Sequence, residues 1–302
     1  MKLSSRGLMP GFVGIPLILL LFITSTPVFF SGCSLASAVE IAGGNDSAAF
    51  ADSVAYFTML ATELPDEPEV YYNRGIYRFR LQQYREAIAD FSYALKVDSG
   101  FYAAYLTRGD CQRMLGNDEL AVENYDQFYF NTGGGPYLFK MRAFSNFRLK
   151  KYPVAIHDYS KLIILGQGDA YIYSMRGRAR LYNKEFTSAT RDFTEAIKLA
   201  PDTGSNYIWL GNAYYGIADW NKSIDSYLTA IEKKENMAEE NFMKNAYFER
   251  AQTLHQDNPG QALKDLAEAL KIDPDYPEAI YQQGLIFYNE GLKDKACMNF
   301  ER

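Results

Sequence analysis

The chain has 302 residues, of which 48% are hydrophobic, 15% aromatic and 23% charged. That is ample material for a folded core and too little polarity for disorder. Its 31 Lys and Arg stand against 37 Asp and Glu, a formal charge of −6, so no nucleic-acid partner is expected, although local basic faces remain open. Two histidines and three cysteines leave little for a zinc site, a Cys/His dyad or a disulfide framework. No catalytic residue, metal or cofactor is therefore expected.

Lys2 and Arg6 precede a run from Gly7 to Ser31 without a charged residue, with apolar blocks at Leu17–Phe22 and Val28–Phe30. A positive start followed by such a run is the pattern of an export signal. Its end, Phe30-Ser31-Gly32-Cys33, resembles the lipobox of bacterial lipoproteins, with Phe30 where Leu is usual. The resemblance implies lipidation of Cys33, a signal peptide over 1–32 and a tether over 33–47. Two other readings stay open. Ala36-Ser37-Ala38 suits ordinary signal-peptidase cleavage, and about 20 apolar residues suffice for an uncleaved anchor, against which Pro16 and Pro27 weigh by each removing a backbone donor in lipid. All three place the remainder outside the cytoplasm.

Behind this segment the sequence repeats. Gly75, Gly109, Ala143, Gly177 and Gly211 follow one another at intervals of 34 residues, a period that signals stacked supersecondary units. Four residues before each mark stands an aromatic: Tyr71, Tyr105, Phe139, Tyr173, Tyr207. Twelve after it stands a small residue (Ala87, Ala121, Ala155, Ala189, Ser223), and four further on an aromatic again (Phe91, Tyr125, Tyr159, Phe193, Tyr227). These spacings are helical and fall into two groups parted by turn residues such as Gly116-Asn117, so each unit is a helical hairpin. Asp98-Ser99-Gly100, Gly133-Gly134-Gly135-Pro136 and Gly166-Gln167-Gly168 stop the second helices.

The pattern resembles the tetratricopeptide repeat (TPR) over most of the chain past the signal. The resemblance implies an all-α, right-handed solenoid superhelix of about seven hairpins, near 68–101, 102–135, 136–169, 170–203, 204–237, 244–276 and 277–302. The sixth follows an insertion around Glu235–Glu240 and is one residue short in its hairpin turn. One extra helix, Phe50–Glu63, keeps the register ahead of the first hairpin.

The residue before each mark is Arg74, Arg108, Arg142, Arg176, Leu210, Arg250 and Gln283, where the family has Leu. The residue before each second-helix core position is Asp90, Asn124, Asp158, Asp192, Ser226, Asp265 and Asn299. Leu210 and Gln283 coincide with loss of the aspartate. This predicts intra-hairpin clasps Arg74–Asp90, Arg142–Asp158, Arg176–Asp192 and Arg250–Asp265, with Arg108–Asn124 as a neutral variant.

In such a stack the first helices line the concave face, and those of the first four hairpins carry a surplus of Arg and Lys. Arg78, Arg80, Arg113, Lys140, Arg148, Arg178 and Arg180 contribute to it beyond the clasps, against second helices that include Asp118 and Glu119. Aromatic residues interleave with these charges, among them Phe144, Tyr171, Tyr182, Trp209 and Tyr215. The expected groove for a partner is thus built of Arg80, Arg113, Lys140, Phe144 and Arg148, then Tyr171, Arg178, Tyr182, Trp209 and Tyr215. It suits an acidic peptide or helix with apolar side chains. The carboxylate clamp of some members of the family does not fit, since Phe144 and Met175 stand where asparagines are wanted beside Lys140.

His157 and His255 read as surface residues and Cys111 and Cys297 as small buried hydrophobes. The function expected is a lipid-anchored scaffold for other envelope proteins, facing the periplasm from the outer membrane. Binding of an anionic polymer such as peptidoglycan is the alternative. So is self-assembly through the carboxyl-terminal hairpin, whose Ala296 and Phe300 lack a covering polar helix.

Overall fold

The computed structural model describes residues 47–233 and 240–302. The signal segment, Cys33, the tether up to residue 46 and the insertion over 235–239 lie outside the described residues. Among the described residues the backbone forms fifteen helices and no strand. A leading helix, α1 (Ser47–Glu63), is followed by hairpins α2 (Pro68–Arg80) with α3 (Tyr84–Val97) and α4 (Tyr102–Met114) with α5 (Asp118–Thr132). Next come α6 (Pro136–Arg148) with α7 (Tyr152–Ile164), α8 (Ala170–Tyr182) with α9 (Phe186–Leu199), and α10 (Gly204–Gly216) with α11 (Trp220–Glu232). The last two are α12 (Glu240–Leu254) with α13 (Pro259–Ile272) and α14 (Pro277–Asn289) with α15 (Lys293–Glu301). The architecture is an all-α solenoid of seven hairpins and one leading helix.

Local chemistry sets the helix ends. Pro68, Pro136, Pro259 and Pro277 open α2, α6, α13 and α14, a place where the missing N–H costs nothing. Asp169 caps α8 by accepting from the Ile172 N–H at 2.7 Å, and Gly133, at φ 78°, ends α5 in the left-handed region. The sixth hairpin departs from the turn read from its sequence. Four residues, 255–258, join α12 to α13, against three in each of the other hairpins, so the residue lost from the register comes out of the helices.

The core runs as a seam through every hairpin. Ala87, Phe91 and Ala94, then Ala189, Phe193 and Ala196, are wholly buried, as are Ala121, Tyr125, Ala155 and Tyr159. The small marks explain how close the helices come. A Cβ added at Gly75, Gly109, Gly177 or Gly211 would stand 2.6, 2.7, 2.8 or 2.4 Å from the ring of Phe91, Tyr125, Phe193 or Tyr227, well inside contact distance. The rings lie directly on the backbone of the first helix. Helix α1 closes the amino-terminal end by packing Phe57, Leu60 and Ala61 on Val70, Tyr71 and Ala94. Successive first helices touch one another (α2 with α4, α4 with α6, α8 with α10, α10 with α12), an approach that successive second helices do not match. The first helices therefore occupy the crowded inner side of the stack.

The intra-hairpin turns place one residue in the left-handed region every 34 residues: Gln82, Gly116, Lys150, Lys184 and Ala218, at φ 59°, 82°, 58°, 62° and 61°. The next N–H donates to a carbonyl five residues back at 2.8–3.0 Å, as Lys151 does to Asn146 and Asp219 to Tyr214. A side chain is strained there by about 1–2 kcal/mol, and glycine gives back part of that in unfolded-state entropy. Ala218→Gly should therefore stabilise the protein by about 0.5–1 kcal/mol in urea unfolding; a destabilised variant would show that the turn carries no such strain.

Candidate partner-binding groove

The clasps fix what the groove has left to offer. Arg74 donates from Nη2 to Asp90 at 2.6 Å, Arg142 from Nε and Nη2 to Asp158 at 2.8 Å each, Arg176 from Nη2 to Asp192 at 2.6 Å, and Arg250 from Nη2 to Asp265 at 2.7 Å. Arg108 gives its Nε to Asn124 Oδ1 at 2.7 Å. The aspartates are 0–2% exposed, so each pair is desolvated and closes its hairpin with a charge-assisted, mostly two-pronged bond.

Two features of these pairs were not visible in the sequence. The free edge of the guanidinium reaches back to the preceding hairpin: Arg142 Nη1 to Asp126 at 2.8 Å, Arg108 and Arg176 Nη1 to Ser92 and Ser160 at 3.1 Å each, Arg250 Nη1 to Asn221 at 2.8 Å. Moreover, Arg78 and Arg180, reckoned from the sequence as groove charges, donate to Asp90 and Asp192 at 2.8 Å. They lie one helical turn beyond Arg74 and Arg176, on the same face, and so meet the same carboxylate. Arg148 is likewise engaged, its Nε 3.1 Å from Asp118 Oδ2. The inner layer is less positive than its composition.

What remains is contiguous over the second to fifth hairpins. Lys140 stands 5.5 Å from the centre of the Tyr171 ring, and the Arg178 guanidinium lies between Phe147 at 5.4 Å and Trp209 at 4.7 Å. Neither cation is in an ion pair, and Arg178 Nε is buried without a hydrogen-bond partner. Such stacking holds a cation while leaving its charge available. Tyr182 packs on Phe147 and Trp209 at 5.9 and 6.3 Å, and Phe144 lies 6.0 Å from the Arg148 guanidinium. Burial raises the Tyr171 phenol above its usual range, opposed by the charges of Arg178 and Arg113, which brings those three residues into one electrostatic field.

Two expected members lie apart from this set. Arg80 sits over Phe50 of α1 at 5.3 Å and over Tyr77 at 5.9 Å, at the amino-terminal end. Tyr215 packs 5.1 Å from Trp220, and burial together with the field of Glu249 raises its phenol pKa. Both depart because the register carries a residue along the helix face while its neighbours change from hairpin to hairpin. Cys111 is buried, which pushes its thiol up to about 12. Cys297 is exposed, contrary to expectation: Val122 and Ile224 at the same register are covered by the next hairpin, and among the described residues none follows α15.

The repeat is also recognisable by comparison. Residues 72–136 match the family model described as tetratricopeptide repeat. Those residues carry the tetratricopeptide repeat, and the hairpins after them continue the same architecture. The solenoid is similar to the C-terminal part of a TPR repeat-containing protein from Cytophaga hutchinsonii, at 20% identity over 77% of this chain and 94% of that one, with a TM-score of 0.54. MamA is matched at 20% identity over 55% of this chain and 91% of its own, with a TM-score of 0.52. YrrB, described as a TPR protein with an unusual peptide-binding site, is matched at 16% identity over 74% and 95%, with a TM-score of 0.50. No curated protein matches the sequence.

One buried carboxylate on a first helix is not singled out by the sequence. Asp110, 5% exposed, accepts from the Tyr125 and Tyr137 hydroxyls at 2.7 and 2.9 Å. Burial raises its pKa despite those bonds and the nearby Arg113. The signal was present as a pair: Asn212 takes the same place in the fifth hairpin and accepts from Tyr227 at 2.6 Å.

A native carboxyl pKa above the unfolded value means that folding takes up protons, so this group costs stability as pH rises past about 4. Asp110→Asn should therefore stabilise the protein at pH 7, with a gain that disappears below pH ~4 in paired urea titrations. A gain that persists in acid would remove the burial explanation. For the clasps, Asp158→Ala should cost about 3–5 kcal/mol by stranding Arg142, and Arg142→Met with Asp158→Leu distinctly less. Equal losses would mean that the charge itself is not what matters.

Proposed function

We propose that the chain is an envelope scaffold that binds other proteins, holding an acidic, extended or helical partner segment along the first helices of its second to fifth hairpins. The observation that carries this reading is the pair of cations without ion-pair partners, Lys140 and Arg178, each resting on aromatic faces of a continuous layer. Carboxylates of the segment meet those cations while its apolar side chains lie on Tyr171, Tyr182 and Trp209, two of which are 47% exposed. Aromatic and arginine side chains at the centre of a groove are where binding energy concentrates. YrrB, a neighbour in fold, is described as having a peptide-binding site. Activity in this reading is binding, without catalysis.

The amino-terminal run and Phe30-Ser31-Gly32-Cys33 support export and lipid attachment at Cys33. Two or more acyl chains hold a protein stably on a leaflet where one does not, and the placement proposed is the periplasmic face of the outer membrane. Exposed Tyr281, Met298 and Phe300 on the last hairpin suit a second copy or a further partner.

A photo-crosslinking amino acid at Tyr171, in the native envelope, tests the groove. Discrete protein adducts are expected, at least tenfold weaker with Arg178→Glu; adducts only to glycan, or adducts indifferent to that change, would overturn it. In the same cells Cys33→Ser should abolish metabolic labelling of the protein with a fatty-acid analogue, and unchanged labelling would remove lipid attachment at Cys33.

A further inference from the structure

The second hairpin has a clasp that lacks its carboxylate. In the other four, Nη2 of the arginine meets an aspartate oxygen at 2.6–2.8 Å. In the second, Asn124 spends its only oxygen on Arg108 Nε at 2.7 Å and turns its Nδ2 to the Leu120 carbonyl at 2.7 Å. Arg108 Nη1 donates to Ser92. Nη2 has no acceptor, and it is absent from the buried polar atoms without partners, so it faces space that solvent reaches. That space is a cleft of about 400 Å³ on the second-helix side of the hairpin, lined by Arg108, Glu123, Asn124, Asp126, Gln127 and Phe130. Burial pushes the Arg108 pKa down, with Tyr105 opposing.

We infer that this cleft binds a carboxylate side chain of a partner protein, which supplies to Arg108 the anion that aspartate supplies in the other clasps. The vacant donor asks for an oxygen acceptor, and a half-buried guanidinium asks for an anion. Gln127, also on the lining, carries an amide N–H suited to the second oxygen. Phe130 is 77% exposed at the lip, where the methylenes of a glutamate would lie. Asp126 is already held by Arg142 at 2.8 Å, and Glu123 at the rim disfavours a dianion, which selects a single carboxylate over phosphate. The site is separate from the groove of Lys140 and Arg178 and stands or falls without it.

The decisive variant adds a group. Asn124→Asp gives the second hairpin the pairing that its neighbours already have, so it should fold, melt higher than the parent and close the site. The full chain in detergent micelles, ¹⁵N-labelled in arginine, is titrated with N-acetylglutamate amide, N-acetylglutamine amide and inorganic phosphate at constant ionic strength. The Arg108 side-chain Nε resonance, assigned by its loss in Arg108→Lys, is followed. Expected are a saturable shift with the glutamate probe, at least tenfold weaker association with the glutamine probe, and no response in Asn124→Asp. Equal response to both amides, a response that survives Asn124→Asp, or saturation by phosphate alone would overturn the proposal.

Discussion

A guanidinium gripped on both edges between helices permits one helix spacing and one register. Arg142 shows the constraint in full, with Nε and Nη2 on Asp158 of its own hairpin and Nη1 on Asp126 of the hairpin before. The planar fork cannot meet all three oxygens if either helix slides or rotates. Burying such a group adds little net stability over an apolar residue of the same size, because desolvation offsets most of the attraction. Its effect is on specificity: the small mark admits the aromatic ring in one register, and the clasp penalises any other by stranding a charge.

The same constraint shapes the binding surface by subtraction. Each clasp aspartate attracts every arginine within reach, so Arg78 and Arg180 fold down onto Asp90 and Asp192, and Arg148 turns to Asp118. Lys140 and Arg178 stay free because aromatic rings flank them where those arginines find carboxylates. The ring faces hold them by electrostatic attraction that does not consume their hydrogen-bonding capacity. The groove is therefore defined as much by where the aspartates are as by where the arginines are.

How far the sequence discloses this depends on whether a feature repeats. The hairpins are legible because the small mark and the ring sixteen residues on, such as Gly177 and Phe193, recur at a fixed interval and must touch. The clasps are legible for a related reason, since arginine and aspartate vanish together at Leu210 and Ser226. What the sequence hides is competition among neighbours. Nothing in composition separates Arg78, which finds Asp90, from Arg178, which finds Phe147 and Trp209, because both are arginines on first helices. Asp110 is hidden for the same reason: a lone acid on an amphipathic helix reads as solvated until Tyr125 and Tyr137 are seen to close over it.

Regularity also gives meaning to exceptions. An asparagine beside an arginine would pass unnoticed in an irregular protein, yet in a series where four equivalents are aspartate it marks a missing charge at a known place and distance. Asn124 preserves the hydrogen bond that sets the register while releasing the ion pair, so the hairpin keeps its geometry and gains an unspent donor. If both proposed sites hold, the solenoid offers cations to acidic partners on two sides: Lys140 and Arg178 stacked on aromatic rings along the first helices, and the single Arg108 guanidinium on the second-helix side. A partner that engages both would have to wrap an edge of the second hairpin, which favours an extended segment over a rigid globular face.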